Sequence, residues 1–184
     1  IDNRQEVNRD LLVGQLLTQN KGMHINSLNN IELIKSKTTF TVTTGHQICL
    51  FTGPLYSLYK IVSIINLAKK LKKEYPNNDF VPVFWMATED HDFAEINHIH
   101  FQDKKITWNS KQKGPVGRFK LDDVSSFLEQ IQNEIGSELF RNWKEFYSNS
   151  DNLAEAHRKV VNHLFGEHGL VIIDADTTEL KKEM

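Results

Sequence analysis

Apolar residues recur along this chain with two periods, and the period changes where the element changes. Over 4–19, "RQEVNRDLLVGQLLTQ", Val7, Leu11, Leu12, Leu16 and Leu17 share three- and four-residue spacing, which predicts a helix with Gly14 as its weak point. A second short helix is expected at "NNIELIKS". "TTFTVTTG" (38–45) turns β-branched and aromatic and stops at a glycine, as strands do. From Pro54, placed at the first helical position where its missing N–H costs nothing, Leu55, Leu58, Tyr59, Val62 and Ile65 resume the helical period, and the helix is expected to reach Glu74. "FVPVFWMA" (80–87) is continuously apolar between turn residues, the pattern of a parallel strand buried on both faces, with Pro82 near its start.

Strand, helix and strand make a βαβ unit, so both strands point their carboxyl ends the same way. From His98 the pattern shifts to short alternating runs split by Asp103-Lys104-Lys105 and Gly114-Pro115, which predicts two or three antiparallel strands. "DDVSSFLEQIQNEI" then begins a helix with Asp122 or Asp123 as its cap, and amphipathic "NLAEAHRKVVNHLF" is stopped by Gly166. "GLVIIDAD" (169–176) reads as another buried strand, and Asp176 with Glu179 has the spacing of a capping box. The chain thus divides into an N-terminal helical segment (1–37), a first βαβ half of an α/β core (38–97), an antiparallel insertion (98–121), and helices with a further core strand (122–184).

At 184 residues the chain can bury one sizeable core. A net charge of −2 gives no field that favours nucleic acid or an anionic membrane, and the lysines of "AKKLKKEY" complement the end of a helix dipole. No apolar stretch reaches membrane-spanning length, and a single cysteine, Cys49, fits a reducing compartment, so a cytoplasmic location is expected. A start without Met and an end just inside a new helix are expected of a piece of something longer.

The chemistry concentrates after the two strands of the βαβ unit, where open α/β sheets bind ligands. "TTGHQICLFTGPLY" places Gly45, His46 and Gln47 in a glycine-bearing turn that leads to a helix N-terminus near Gly53, a place suited to phosphate or carboxylate. After the other strand, Glu89, Asp90, His91, Asp92, Glu95, His98 and His100 crowd within twelve positions. Such residues serve proton transfer, metal binding or polar recognition. They also have ordinary uses: Asp90 or Asp92 could cap a short helix, Glu95 could pair with His91, and His98 and His100 could share one strand face. Neither HExxH nor paired cysteines are present, so no metal is predicted. Cys49 reads as a packed thiol, and Phe84 and Trp85 as core.

Three blocks, "VTTGHQICLFTGPLYSLYKIVSIINLAKKL", "VPVFWMATEDHDFAEINH" and "LFGEHGLVIIDAD", resemble in sequence and order the bacillithiol biosynthesis cysteine-adding family, BshC. The resemblance covers nearly the whole chain and implies the N-terminal part of a longer, homodimeric protein, the rest supplying more of the core and a coiled coil. It implies a Rossmann-like parallel sheet similar to the class I aminoacyl-tRNA synthetase core, with "TGHQ" where those enzymes carry their HIGH signature. It further implies a ligase that joins L-cysteine to glucosaminyl malate, with ATP activating the carboxylate. On that comparison His46 and Asp90 are the candidate catalytic residues. Gly45, Gln47, Gly53, Glu89, His91 and Asn97 are the candidate binding residues. The alternatives are a metal-dependent hydrolase built on 89–100 and a non-catalytic binding module.

Overall fold

The computed structural model describes residues 7–183. It begins with two helices, α1 (Arg9–Gln19) and α2 (Ile25–Leu33). Asn8 caps α1 by accepting from Leu11 N, and residues 4–6 of the expected helix lie outside the described residues. α2 starts at Ile25 rather than Asn29 because His24 caps it, its Nδ1 accepting from Asn26 N at 3.2 Å.

The βαβ unit follows as β1 (Thr39–Gln47), α3 (Leu55–Glu74) and β2 (Asp79–Ala87), with β1 and β2 parallel from Thr39 opposite Asp79 to Gln47 opposite Ala87. α3 ends at the expected Glu74, but Pro54 is its N-cap, with extended backbone, rather than its first helical residue. β1 runs two residues past Gly45, so Gly45, His46 and Gln47 belong to the strand, and the turn expected there forms later, around Phe51 and Gly53.

A one-turn helix, α4 (Phe93–Ile96), precedes an antiparallel hairpin of β3 (His98–Phe101) and β4 (Lys104–Thr107). Its two strands are the ones that form; residues 108–124 are irregular, with one 3₁₀ turn at Val116–Arg118. Neither Asp122 nor Asp123 caps α5 (Ser125–Ile135), where Val124 holds the cap position. The Asp123 carboxylate instead accepts from Trp108 Nε1 at 2.9 Å and from Ser110 Oγ at 2.7 Å. α6 (Ser137–Ser148) was not anticipated from the sequence, although Phe140, Trp143 and Tyr147 stand at helical spacing. α7 (Leu153–Phe165) has its cap at Asn152, and Gly166 closes it without left-handed backbone, which waits until Gly169. β5 (Val171–Asp174) is shorter than 169–176, and α8 (Thr178–Glu183) ends the described chain. Asp176 gives its carboxylate to Arg118 and Lys181.

The central sheet has the order β1-β2-β5, all parallel. Alternation along β2 divides the core into two layers. Val81 and Val83 meet Val171 and Ile173 of β5 and the inner faces of α1, α2 and α8. Phe84 and Met86 meet Ile61, Ile64 and Ile65 of α3, Val160 and Val161 of α7, and residues of α5 and α6. Both faces of β2 are therefore dry, which is why its sequence does not alternate. Pro82 is tolerated because β5 reaches β2 only from Val83 onward, leaving one flank without a strand. The result is a Rossmann-like three-layer α/β/α unit with a small antiparallel insertion, as expected. α1 reinforces the end of β5: Gln19 Nε2 donates to Asp174 O at 2.7 Å while Gln19 Oε1 accepts from Asp174 N at 2.9 Å.

Candidate functional site at the carboxyl end of the sheet

Parallel strands deliver Gln47, Ala87 and Asp174 to one end of the sheet. His46 is half-buried in β1 opposite Met86. Its Nδ1 donates to the Gln47 carbonyl at 2.9 Å, which leaves Nε2 as the ring nitrogen available to a ligand. The ring of Tyr56, on the first turn of α3, lies edge-on at 6.3 Å. Lys60, one turn further along α3, donates from Nζ to the Gly45 carbonyl and sits 5.4 Å from the Tyr56 ring centre. No side chain caps the N-terminus of α3, whose positive dipole end lies beside these residues, although Ser57 N already donates to the Pro54 carbonyl at 2.9 Å.

Between β1 and α3 the chain makes its tightest turn. Phe51 and Gly53 have left-handed backbone, with φ of 56° and 60°. A Cβ on Gly53 would stand 2.5 Å from Cys49 Cβ, so this glycine serves a close approach within the turn. Buried His157 donates from Nδ1 to the Cys49 carbonyl at 3.0 Å, and the Tyr147 hydroxyl accepts from Phe51 N. Burial, followed by the Glu95 and Asp90 charges, pushes the Cys49 thiol up to about 11, so it is a neutral packed group, as its apolar setting suggested.

Past β2, the carboxyl-end residues are placed by backbone bonds. The Thr88 carbonyl accepts from Gly117 N at 3.0 Å and the Asp90 carbonyl from Val116 N at 2.7 Å, so the 115–118 turn buttresses this stretch. Asp90 Oδ1 accepts from Asp92 N at 2.9 Å, and Asp92 caps α4 by accepting from Glu95 N. Glu89 is half-buried, and its Oε2 has no hydrogen-bond partner. His91 is exposed. Asn97 closes α4, its carbonyl accepting from Trp108 N and its Oδ1 meeting His98 Nδ1 at 3.1 Å. Glu95 does not pair with His91; it accepts from Gln47 Nε2 at 3.0 Å and so links the end of β1 to α4. His98 and His100 do share a face of β3, their rings edge to face at 5.2 Å.

Four residues of this end were not singled out from the sequence. Thr88 Oγ1 donates to Asp174 Oδ1 at 2.5 Å, and Arg158 Nη2 donates to Asp174 Oδ2 at 3.4 Å. Lys60 had a signal, being the only charged residue in the first three turns of α3. Asp174, Arg158 and Thr88 had none, because their meeting depends on how α7 packs against β5. Among the described residues no three histidine, cysteine, aspartate or glutamate side chains gather as a set that could hold a metal ion. Nor is any described helix long and apolar enough to cross a membrane.

Comparison with known proteins places these features in a family. A profile described as "Bacillithiol biosynthesis BshC, N-terminal Rossmann-like domain" matches residues 1–184. Relatives named "Putative cysteine ligase BshC" include one from Flavobacterium johnsoniae, 50% identical over 95% of this chain and 34% of its own length. Another, from Cytophaga hutchinsonii, is 48% identical over 98% of this chain and 34% of its own length. A third, from Bacillus cytotoxicus, is 31% identical over 95% of this chain and 35% of its own length. The chain thus spans about a third of the length of these relatives.

Proposed function

The chain belongs to the BshC family, as its N-terminal Rossmann-like domain, and from that premise we propose that the whole protein is a cytoplasmic ligase that joins L-cysteine to glucosaminyl malate, giving bacillithiol. A carboxylate resists attack by an amine, so the cysteine carboxylate is first activated by ATP. Its oxygen attacks phosphorus, giving an acyl adenylate and pyrophosphate or an acyl phosphate and ADP. The sugar amine then attacks the activated carbonyl carbon and expels AMP or phosphate, leaving the amide.

The observation that carries this reading is the pairing of an anion-suited strand end with a carboxylate-rich one. Gly45, His46, Gln47, the turn at Gly53 and the N-terminus of α3 stand on one side, with Lys60 adding a cation. They suit phosphate charge. Glu89, Asp90, His91 and Asn97 follow the neighbouring strand, where Asp90 receives the amine or its proton and the others bind nearby.

The test is mass spectrometry of the full-length protein with ATP, L-cysteine and glucosaminyl malate, beside Asp90→Ala. A bacillithiol mass from the parent alone supports the reading, and AMP or ADP in the mixture names the activation route. Equal turnover by a folded Asp90→Ala variant removes Asp90 from the site; no product from the parent removes the reaction.

A further inference from the structure

Beside the strand ends, a cleft of about 780 Å³ opens between the Cys49–Pro54 turn, the β3 strand and helices α5 and α6. Its walls are mostly apolar, with Phe51, Ile99, Ile131, Phe140 and Trp143 facing it. Such a volume is in the range of sugar-sized and larger ligands, roughly 300–1,000 Å³, and an amino acid alone would leave most of it empty.

The polar groups along the cleft are few and stand at two sides of it. At one side is the Glu95 carboxylate, held by the Gln47 amide at 3.0 Å. At the other are His98 and His100. The walls are preformed. The turn is anchored by His157 and Tyr147 from α7 and α6, and the hairpin is fixed to α5 by a Lys104–Glu134 ion pair at 2.7 Å.

We propose that this cleft holds the amine-bearing sugar acid, its ammonium on Glu95, its ring against Trp143 and its carboxylates toward His98 and His100. The assignment rests on the cysteine-ligase reading and adds to it a binding residue, Glu95, which holds the ammonium while Asp90 takes its proton, and a place for the second substrate. A carboxylate at one side and imidazole hydrogen-bonding groups at the other would fix the direction in which the ligand lies, so that its amine is the end nearest Gln47 and the β1 terminus.

Calorimetric titration of the full-length protein tests this. Glucosaminyl malate should bind Glu95→Gln about tenfold or more weakly than the parent, while the dissociation constant of L-cysteine stays within about twofold. The N-acetylated analogue, which lacks the ammonium, should bind parent and variant alike, an equality that a merely structural role for Glu95 would not produce. Trp143→Leu should also weaken glucosaminyl malate selectively. If bacillithiol still forms but Glu95→Gln binds the sugar acid as the parent does, the cleft assignment falls and the ligase reading stands. If the loss appears for L-cysteine instead, the cleft belongs to the amino acid and the assignment falls. If the parent neither binds glucosaminyl malate nor makes bacillithiol, the ligase reading itself falls.

Discussion

The ring of buried His157 donates from Nδ1 to the Cys49 carbonyl oxygen, 3.0 Å away across 108 residues of chain, and so ties α7 to the turn that follows β1. Burial first, and then the neighbouring His46 and Arg158, push its pKa down to about 4. An unfolded imidazole titrates near 6.5, so between those values the unfolded chain holds the extra proton. The stability tied to neutral His157 is therefore complete above pH 6.5 and is lost as pH falls towards 4, by about 3 kcal/mol in all. Urea midpoints at pH 7.5 and pH 5 should differ accordingly, and His157→Gln should flatten that part of the dependence. An unchanged slope in the variant would mean that other groups carry it.

Two glycines should respond to alanine with opposite signs. Gly53→Ala puts a side chain on left-handed backbone and against Cys49, and should cost about 1–3 kcal/mol. Gly14, exposed in the middle of α1 with nothing near an added Cβ, should gain about 0.5–1 kcal/mol as alanine. Thermal unfolding of the two variants decides it; a stabilised Gly53→Ala would mean that the turn rearranges at little cost.

What the sequence made legible, and what it hid, follows the range of the interactions. The βαβ unit could be read because burial on both faces shows in consecutive residues of β2, and α3 because its inner face repeats over twenty residues. Element ends were displaced wherever a side chain chose an unexpected partner: His24 caps α2, and Asp123 turns to Trp108 instead of capping α5. His46 was expected in a turn because glycine precedes it, yet Gly45 keeps strand geometry opposite Trp85, and the positive φ angles come at Phe51 and Gly53. The strand-end positions of Gly45–Gln47 and Glu89–His91 followed from topology alone. The partners Glu95, Asp174 and Arg158 did not, since each bond joins elements whose contact no local pattern encodes.

Asp174 is the hub of a nearly buried charge pair, and its neutralisation should be costly. Its side chain and that of Arg158 are 15% and 11% exposed, and Arg158 Nε has no partner. Asp174→Asn keeps the shape but leaves the guanidinium uncompensated, which should cost about 3–5 kcal/mol. Adding Arg158→Met should recover part of that loss, because the orphaned cation is gone. A double-mutant cycle by urea unfolding measures the coupling, and strictly additive losses would show that the two side chains do not act as a pair.

Tyr147 offers a way to loosen the cleft wall without emptying the core. Its buried hydroxyl accepts from Phe51 N, and its ring packs on the Phe51 ring with centroids 4.8 Å apart. Tyr147→Phe keeps the ring contact and deletes only the acceptor, so the Phe51 N–H loses that partner in a turn already held at positive φ. The cost should be about 1–3 kcal/mol, the range for a buried donor left without its bond. Because the strain sits at Phe51, the effect should also be local. Hydrogen exchange at the Phe51 amide should accelerate more than exchange along β2, and glucosaminyl malate should bind more weakly while L-cysteine does not. Equal acceleration at both places would show global destabilisation, and unchanged exchange at Phe51 would show that the turn is held by its aromatic packing rather than by this hydrogen bond.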